Sequence, residues 1–378
     1  MSTMDSENNP YRYGSPVSGA HFVGRTKELS AVTARMVDSI NLSLISPRRW
    51  GKTSLLDVAA MRIRTSRRGA VVSASLLKTP GLGDLAGALV TSIYRVPGGW
   101  RRTKDGVADF IRRFRLAPSM SMGADGKPTF TLGPHLSDGE YLRTIDEVYA
   151  LLNQMTANRP TVMILDEFQE VGSIGDSMAG FFKSLADAYP RVCLAVAGSD
   201  RHMMEDLLLT RGSPLFGMTE PIFLEPLPRD VMFEYLVGRA ASSRKPMTDD
   251  AANEILSLTY PVPNDIQRLA YEAWALADRR IGVGEVDRGM EEAISHQASN
   301  YGSVLSRLTA NQRKVLIALA QATERAPYSA AFVSRASVAN ASSVKKVLTV
   351  LEATELAVEH GGLWSVDDPF FRTWMLQA

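Results

Sequence analysis

The chain has 378 residues, of which 45% are apolar and 22% are charged, and its formal net charge is +1. This composition excludes an intrinsically disordered chain and a chain that is basic throughout, and the length predicts two or three domains. A single cysteine, Cys193, excludes an intrachain disulfide and a cysteine-based zinc site. Because residues 1–9 are polar and no apolar run reaches the ~20 residues of a membrane helix, we expect a cytoplasmic protein.

Strand and helix patterns alternate in the first part of the chain. After an extended N-terminal stretch, apolar periodicity predicts helices over 26–39 and 53–64. Short apolar runs predict strands over 41–46, 70–77, 162–165, 191–197 and 221–227. This alternation is typical of an α/β domain with a parallel sheet, which binds ligands where its strands end.

The second part of the chain has a different pattern. Residues 229–299 are helical, and the helices predicted beyond them span 311–321, 330–335 and 342–356. A hairpin with Gly361-Gly362 at its turn follows, which indicates a winged helix-turn-helix domain. We therefore predict four regions: an N-terminal segment over 1–20, an α/β core over 21–228 with an insertion near 97–140, a helical lid over 229–300 and a winged helix over 301–378.

A phosphate-binding motif lies between the first predicted strand and the next helix. The string Ser46-Pro47-Arg48-Arg49-Trp50-Gly51-Lys52-Thr53 nearly matches G-x-x-x-x-G-K-[ST], with Ser46 in place of the first glycine. Backbone N–H groups of such a loop surround a β-phosphate at a helix N-terminus. Lys52 is predicted to neutralise phosphate oxygens, and the Thr53 hydroxyl to bind Mg²⁺, with Ser54 as the next helical residue. The alternative is a chance Gly-Lys-Thr at a helix start.

An acidic pair follows the apolar run over 162–165. Asp166 is predicted to hold Mg²⁺ through water, and Glu167 to polarise the attacking water as general base. Taken alone, the pair is equally typical of solvated acids at a strand end. In this order after the first motif, the two together predict a P-loop nucleotide site for ATP or ADP with Mg²⁺.

Longer strings of the sequence resemble the archaeal-type ATPase family. The matching strings are Asn9-Pro10-Tyr11-Arg12-Tyr13-Gly14-Ser15-Pro16-Val17, Phe22-Val23-Gly24-Arg25, the Pro-Arg-Arg-x-Gly-Lys-Thr-Ser-Leu run from Pro47, Asp166-Glu167-Phe168-Gln169-Glu170 and the end Asp368-Pro369-Phe370-Phe371-Arg372-Thr373-Trp374. This family belongs to the AAA+/STAND side of the P-loop ATPases and is related to origin-recognition ATPases. The resemblance covers about residues 9–378 and implies a parallel P-loop core, a helical lid and a winged helix.

The resemblance implies further nucleotide contacts. The segment that packs near the adenine matches Phe22, Val23, Gly24 and Arg25, and the loop contacts fall on Arg49, Trp50, Gly51, Lys52, Thr53 and Ser54. Pro263 and Arg268 match the lid helix that senses the nucleotide.

Two more positions match catalytic roles in the family. Ser199 stands where a polar γ-phosphate sensor belongs, and its alternative role is to cap the next helix. Arg211 stands where an arginine finger for a neighbouring subunit is found, and its alternative is a plain surface arginine. The family often has a second arginine where this chain has Met218, so the departure argues against activation in trans and ring assembly.

One stretch of the chain is strongly basic, although the net charge of the whole chain is close to zero. Residues 62–115 contain 12 basic and 3 acidic residues, and the apolar spacing around Phe110 predicts a basic amphipathic helix. The arginines considered for duplex contact there are Arg101, Arg102, Arg112, Arg113 and Arg115. Three interpretations stay open: a nucleic-acid patch, a dock for an acidic partner or the chain's own acidic half, and a solvated face with core aromatics. A hairpin is predicted over 119–132.

The winged helix leaves two functions open. Residues 301–378 contain 8 basic and 6 acidic residues, which is a small excess of positive charge for a protein that binds duplex DNA. Lys345 and Lys346 are nevertheless placed to reach DNA. We expect a slow or partner-stimulated Mg-dependent ATPase that acts as a nucleotide-controlled switch or regulator through protein contacts or self-association. The alternative is a DNA-binding ATPase of the origin-recognition or transposition-regulator kind.

Overall fold

A computed structural model describes residues 9–66, 68–96, 119–122, 128–133, 135–157, 159–175 and 177–377. The chain forms two compact units, one of Pro16–Pro226 and one of Met1–Ser15 with Leu227–Ala378. The five arginines Arg101, Arg102, Arg112, Arg113 and Arg115, with the helix predicted around them, lie outside the described residues.

The unit Pro16–Pro226 contains a five-stranded parallel sheet. Its strands are β1 (Leu42–Ile45), β2 (Ala70–Ser75), β5 (Thr161–Asp166), β6 (Val192–Gly198) and β7 (Glu220–Phe223), in the order β2-β5-β6-β1-β7. Each strand was predicted within a few residues. The last is shorter than predicted because Pro226 and Pro228, which lack the N–H that a ladder needs, follow it closely.

Helices cover both faces of this sheet. They are α1 (Thr26–Val37), α2 (Lys52–Ser66), α3 (Leu82–Tyr94), α4 (Asp138–Met155), α5 (Val171–Ile174), α6 (Met178–Ala188) and α7 (Arg201–Leu208). The strand side chains pack into two separate hydrophobic cores, one on each face of the sheet. Leu42 and Leu44 pack with α1 and α2, while Met163 and Leu165 pack with α3 and α4. A sheet buried on both faces explains why its strands read as continuous apolar runs.

A short hairpin belongs to the same unit. Strands β3 (Ser119–Met122) and β4 (Pro128–Thr131) pair antiparallel, as predicted, and the turn between them lies outside the described residues. Phe130 of β4 is buried and its ring packs edge-on against Tyr94 of α3, with 5.1 Å between the ring centroids. The hairpin therefore shares the core that α3 and α4 form.

The unit that contains Leu227–Ala378 is mostly helical. Its first helices are α8 (Arg229–Ala241), α9 (Asp249–Thr259), α10 (Pro263–Leu276), α11 (Val283–Ser295) and α12 (Ala298–Arg307). The N-terminal segment joins this unit through Tyr11, which is fully buried and donates a hydrogen bond from its hydroxyl to the carbonyl of Leu236 at 2.7 Å. Asn9 and Gly14 add bonds to Tyr271 and Asn264 at 3.0 and 2.9 Å.

The C-terminal part of this unit has the predicted winged-helix outline. It consists of α13 (Ala310–Gln321), α14 (Ala330–Arg335), α15 (Ala341–Ala353), β8 (Ala357–His360), β9 (Leu363–Val366) and α16 (Pro369–Gln377). Gly361 and Gly362 both have positive φ, 58° and 76°, as the tight hairpin turn requires. Lys345 and Lys346 are exposed on α15. Among the described residues, none of the helices has the length and apolar character that crossing a membrane takes.

We expect Tyr11→Ala to destabilise the unit that contains Leu227–Ala378 by about 3–5 kcal/mol, because it leaves a cavity and an unpaired carbonyl. Tyr11→Phe, the matched control, removes only the hydroxyl and should cost about 1 kcal/mol. Urea unfolding of the purified chain measures both. If Tyr11→Ala unfolds at the wild-type midpoint, the N-terminal segment does not stabilise this unit.

Candidate functional site

The loop between β1 and α2 has the backbone shape of a phosphate cradle. Gly51 has φ of +90°, where any side chain would be strained, and Arg49 has φ of +67°. Ser46 does not adopt a positive φ, so the serine in place of the first motif glycine is accommodated without strain. Helix α2 begins at Lys52, and its first turn presents backbone N–H groups toward the loop.

Lys52 is held inside this loop. Its side chain is only 5% exposed, and its ammonium donates hydrogen bonds to the carbonyls of Ser46 at 2.7 Å and Pro47 at 2.9 Å. A buried ammonium needs such acceptors to offset its desolvation. The charge that the motif requires is therefore in place at the centre of the loop.

The two halves of the predicted site meet at Thr53 and Asp166. The Thr53 hydroxyl donates a hydrogen bond to Oδ2 of Asp166 at 2.8 Å, although 113 positions separate the two residues in the chain. Burial raises the pKa of Asp166, and the hydrogen bond from Thr53 opposes that effect. A hydroxyl and a carboxylate side by side are hard oxygen ligands of the kind that Mg²⁺ takes.

Glu167 lies in a polar cluster beside this pair. Oε2 of Glu167 accepts hydrogen bonds from the Ser199 hydroxyl at 2.8 Å and from Nε2 of Gln169 at 2.6 Å. Arg48 of the loop donates from Nε to the Ser199 oxygen at 3.4 Å, and Gln169 reaches the same oxygen at 3.2 Å. Burial raises the pKa of Glu167, but the hydrogen bonds from Gln169 and Ser199 outweigh it, and the pKa falls below its usual value.

Local backbone geometry makes this cluster possible. Glu167 has φ of +54°, a left-handed conformation that is uncommon outside glycine and is typical of functional sites. A Cβ at Gly198 would overlap Met204 and come within 2.7 Å of Oε1 of Gln169. That buried Oε1 has no hydrogen-bond partner among the described residues, so the amide is held by its donor side alone.

Ser199 stands at the end of β6, between the loop and Glu167. The alternative that its hydroxyl caps the next helix is wrong, because the cap of α7 is Asp200, whose carboxylate accepts from the N–H of Met203 at 2.9 Å. The hydroxyl instead contacts Glu167, as a residue near the γ-phosphate can. Its role as a sensor stays a prediction.

The segment matched to adenine contact lies against the same loop. Phe22 packs on the core formed by α1 and α2, and the N–H of Val17 donates to the Ser54 hydroxyl at 3.0 Å. Arg25 is only 4% exposed and donates to Glu28 at 2.9 Å, to the carbonyl of Glu225 at 2.6 Å and to the carbonyl of Trp50 at 3.4 Å. The direct observation is thus that Arg25 fixes the phosphate loop, while its contact with a nucleotide stays a prediction.

The remaining predicted residues lie on other elements. Arg211 is exposed in the turn between α7 and β7. Pro263 is the first residue of α10, in the other unit. Arg268 on the same helix donates to the carbonyl of Ala293 at 2.9 Å and stacks 4.2 Å from the centre of the Phe370 ring, so it joins the lid helices to α16.

Sequence reasoning missed Arg48 and Gln169. Gln169 was part of the resemblance, but no role was given to it. The available signal was its spacing: an amide two residues after the glutamate, across a tight backbone turn, can reach back to the carboxylate. Arg48 carried no comparable signal, because its contact with Ser199 depends on the order of the strands.

The donor set fits a magnesium nucleotide. The loop places the Lys52 ammonium and the start of α2 on one side, and Thr53 and Asp166 supply two oxygens on the other. Within the described ranges, no cluster of three or more His, Cys, Asp or Glu side chains could hold a metal by itself. A metal here is therefore expected to depend on phosphate oxygens for part of its coordination, as Mg²⁺ does in nucleotide sites.

Comparison with known proteins agrees with this architecture. The family described as "Probable winged helix domain" matches residues 299–377. Among solved structures, the Walker-type ATPase of Pyrococcus abyssi is similar with a TM-score of 0.65 and 16% identity, over 96% of this chain and 98% of that one.

Two proteins of Aeropyrum pernix are also similar in structure. The Aeropyrum pernix Orc1 protein, solved in complex with DNA, gives a TM-score of 0.51 at 13% identity, over 94% of this chain and 92% of that one. The Aeropyrum pernix Orc2 protein, solved as ADPNP–ADP complexes, gives 0.52 at 13% identity, over 93% and 94% of the two chains. No curated protein sequence matches.

The chain thus has the fold of the AAA+ type of P-loop ATPases, followed by a helical region and a winged helix. The predicted fold class is confirmed, and so is the resemblance to archaeal Walker-type and origin-recognition ATPases at the level of fold.

Proposed function

We propose that this protein binds and slowly hydrolyses Mg-ATP and acts as a nucleotide-controlled switch through protein contacts. The observation that carries the proposal is the 2.8 Å hydrogen bond from Thr53 to Asp166, which unites the lysine loop with the acidic strand end. When bound, Mg-ATP supplies a polarised γ-phosphoryl group to this site. The chain's own residues bind and orient the nucleotide and accept the proton of the attacking water.

Each residue near the site has a definable task. The Lys52 ammonium, already buried between two carbonyls, neutralises phosphate charge. Thr53 and Asp166 hold the metal, and Glu167 accepts the proton of the attacking water. Because Oε2 of Glu167 is bonded by Ser199 and Gln169, the carboxylate is fixed in direction.

The hydroxyl of Ser199 connects phosphate sensing to the base. It has one proton, and in this structure that proton is donated to Glu167. Turning the proton toward a γ-phosphate removes one donor from the carboxylate, which makes Glu167 a stronger proton acceptor. The resting arrangement thus disfavours hydrolysis, which supports a slow or partner-stimulated enzyme.

We expect Lys52→Ala to lower ATP affinity by about 100-fold or more, because a buried charge-assisted contact with phosphate is lost. Isothermal titration calorimetry with ATP and Mg²⁺ measures the change. Lys27→Ala, an exposed lysine of α1 in the same unit, is the matched control and should bind as wild type. Unchanged affinity in a folded Lys52→Ala protein would exclude this loop as the phosphate site.

We expect Glu167→Gln to retain ATP affinity while turnover falls by about 100-fold or more, since a general base contributes that much. Phosphate release under saturating ATP measures turnover, and chelation of Mg²⁺ should abolish it in wild type. Glu170→Gln, in the same short turn, is the control and should turn over normally. Wild-type turnover in Glu167→Gln would show that another group accepts the proton.

A second function is favoured by the surface of α15. Lys345 and Lys346 are adjacent and exposed there, and no ion pair joins either one to another described residue. In the winged-helix outline α15 stands directly before the hairpin, where a recognition helix lies. This supports a DNA-associated ATPase as the alternative.

ATP turnover across a titration of duplex DNA, at low and at moderate salt, separates the two functions. For the switch, we expect turnover to be indifferent to DNA. For the alternative, turnover rises with DNA, fades with salt and drops in the Lys345→Ser/Lys346→Ser variant. The control is Arg279→Ser/Arg280→Ser, an exposed basic pair in the lid region.

A further inference from the structure

A second concave surface lies at the edge of the sheet, with no residue of the phosphate loop in its lining. It is a groove of about 1190 Å³ between strand β2, which is the edge strand, and the β3–β4 hairpin, with helix α3 between them. This volume is slightly above the roughly 300–1,000 Å³ of typical small-molecule pockets, so the groove has room for a ligand of nucleotide size. The proposed ATPase function gives this groove no role.

Small residues of α3 line the groove. They are Gly83, Gly87 and Ala88, and a Cβ at Gly87 would come within 3.0 Å of the Phe130 carbonyl. Helix and hairpin therefore approach each other closely at Gly87, which fixes the hairpin wall of the groove against α3.

Side chains occupy part of the free edge of β2. Three of its outward backbone groups are bonded: Arg64 donates to the Val71 carbonyl at 3.3 Å, the Ser73 N–H donates to Ser92 at 2.9 Å and Thr79 donates to the Ser75 carbonyl at 3.1 Å. An added peptide strand would have to displace these bonds, which disfavours an extended polypeptide as the occupant.

The lining offers hydrogen-bond donors and positive charge. Its charged side chains are Arg64, Lys78, Arg95 and Asp84, three cations against one anion. In the part of the chain that the structure describes, neither Arg64 nor Lys78 has a carboxylate within ion-pair distance. Burial lowers the pKa of Arg64, and the negative charge of Asp57 on the same helix opposes that effect, as a bound anion would.

Hydroxyl groups extend this donor surface between the cations. Ser73, Ser75, Ser92 and Thr131 line the groove, and none of their hydroxyl protons is donated within the described residues. Phe130, Leu132 and Tyr141 add apolar surface. Donors with a few apolar side chains suit a ligand that is rich in acceptor oxygens and carries a compact organic body.

We propose that this groove binds a small molecule carrying phosphate groups, of nucleotide size, at a site distinct from the phosphate loop. The Arg64 guanidinium lies near the start of β2 and the Lys78 side chain follows its end, so each can contact a different part of a phosphate-bearing ligand, with the serine and threonine hydroxyls between them. Strand β2 pairs in register with β5, so that Ser75 lies opposite Asp166. Occupancy of the groove is thereby adjacent to the strand that ends in the acidic pair.

The test uses the full chain carrying Lys52→Ala, so that the phosphate loop does not dominate the binding signal. Inorganic pyrophosphate is titrated by calorimetry into this protein and into versions that also carry Arg64→Ser/Lys78→Ser, Lys78→Ser alone or Arg62→Ser. Among the described residues the Lys78 side chain makes no hydrogen bond, so Lys78→Ser keeps the test valid if the double variant is unstable. Arg62 is exposed on the same helix as Arg64 and lies outside the groove, which makes it the matched control.

We expect pyrophosphate affinity to fall about tenfold for each charge removed and to be unchanged in Arg62→Ser. Absence of pyrophosphate binding, or equal affinity in the Lys78→Ser and double variants, overturns the proposal. Oligothymidylate and an oligoglutamate peptide are titrated in parallel. If one of these polymers binds in an Arg64- and Lys78-dependent manner while pyrophosphate does not, the groove serves a nucleic acid or a protein, and the proposal is wrong.

Discussion

The site depends on the position of β6 between β1 and β5. The two motif-bearing strands are not neighbours, and both pair with β6, Ile45 of β1 opposite Gly198 and Leu165 of β5 opposite Val196. The residue after Gly198 is therefore forced between the phosphate loop and the acidic pair. Ser199 contacts Glu167 on one side and Arg48 on the other.

This constraint determines how tightly the polar groups are coupled. The Ser199 oxygen accepts from Arg48 and Gln169 while its single proton is donated to Glu167. A hydroxyl in this state has no further donor for a phosphate unless it gives up the carboxylate. Gly198 leaves room beside this cluster, because a Cβ there would overlap the Met204 side chain and come within 2.7 Å of Oε1 of Gln169.

The sequence was sufficient for elements and motifs whose signal is local. Strand runs, the Gly51-Lys52-Thr53 string and the acidic pair have fixed spacings, so the parallel sheet and the meeting of Thr53 with Asp166 were predictable. The contacts of Arg48 and Gln169 were not, because they depend on strand order and on the left-handed turn at Glu167. Arg268 shows the same limit, since its contacts with Ala293 and Phe370 join helices far apart in sequence.

The edge strand β2 combines two features: side chains bond part of its free backbone edge, and the same side chains line a groove. Three of its outward backbone groups are bonded by Arg64, Ser92 and Thr79, which disfavours strand addition. The side chains that close the edge are themselves donors, so protecting the backbone creates a polar wall. Because β2 pairs with β5 along its whole length, with Ser75 opposite Asp166, this polar wall stands one strand away from the acidic pair.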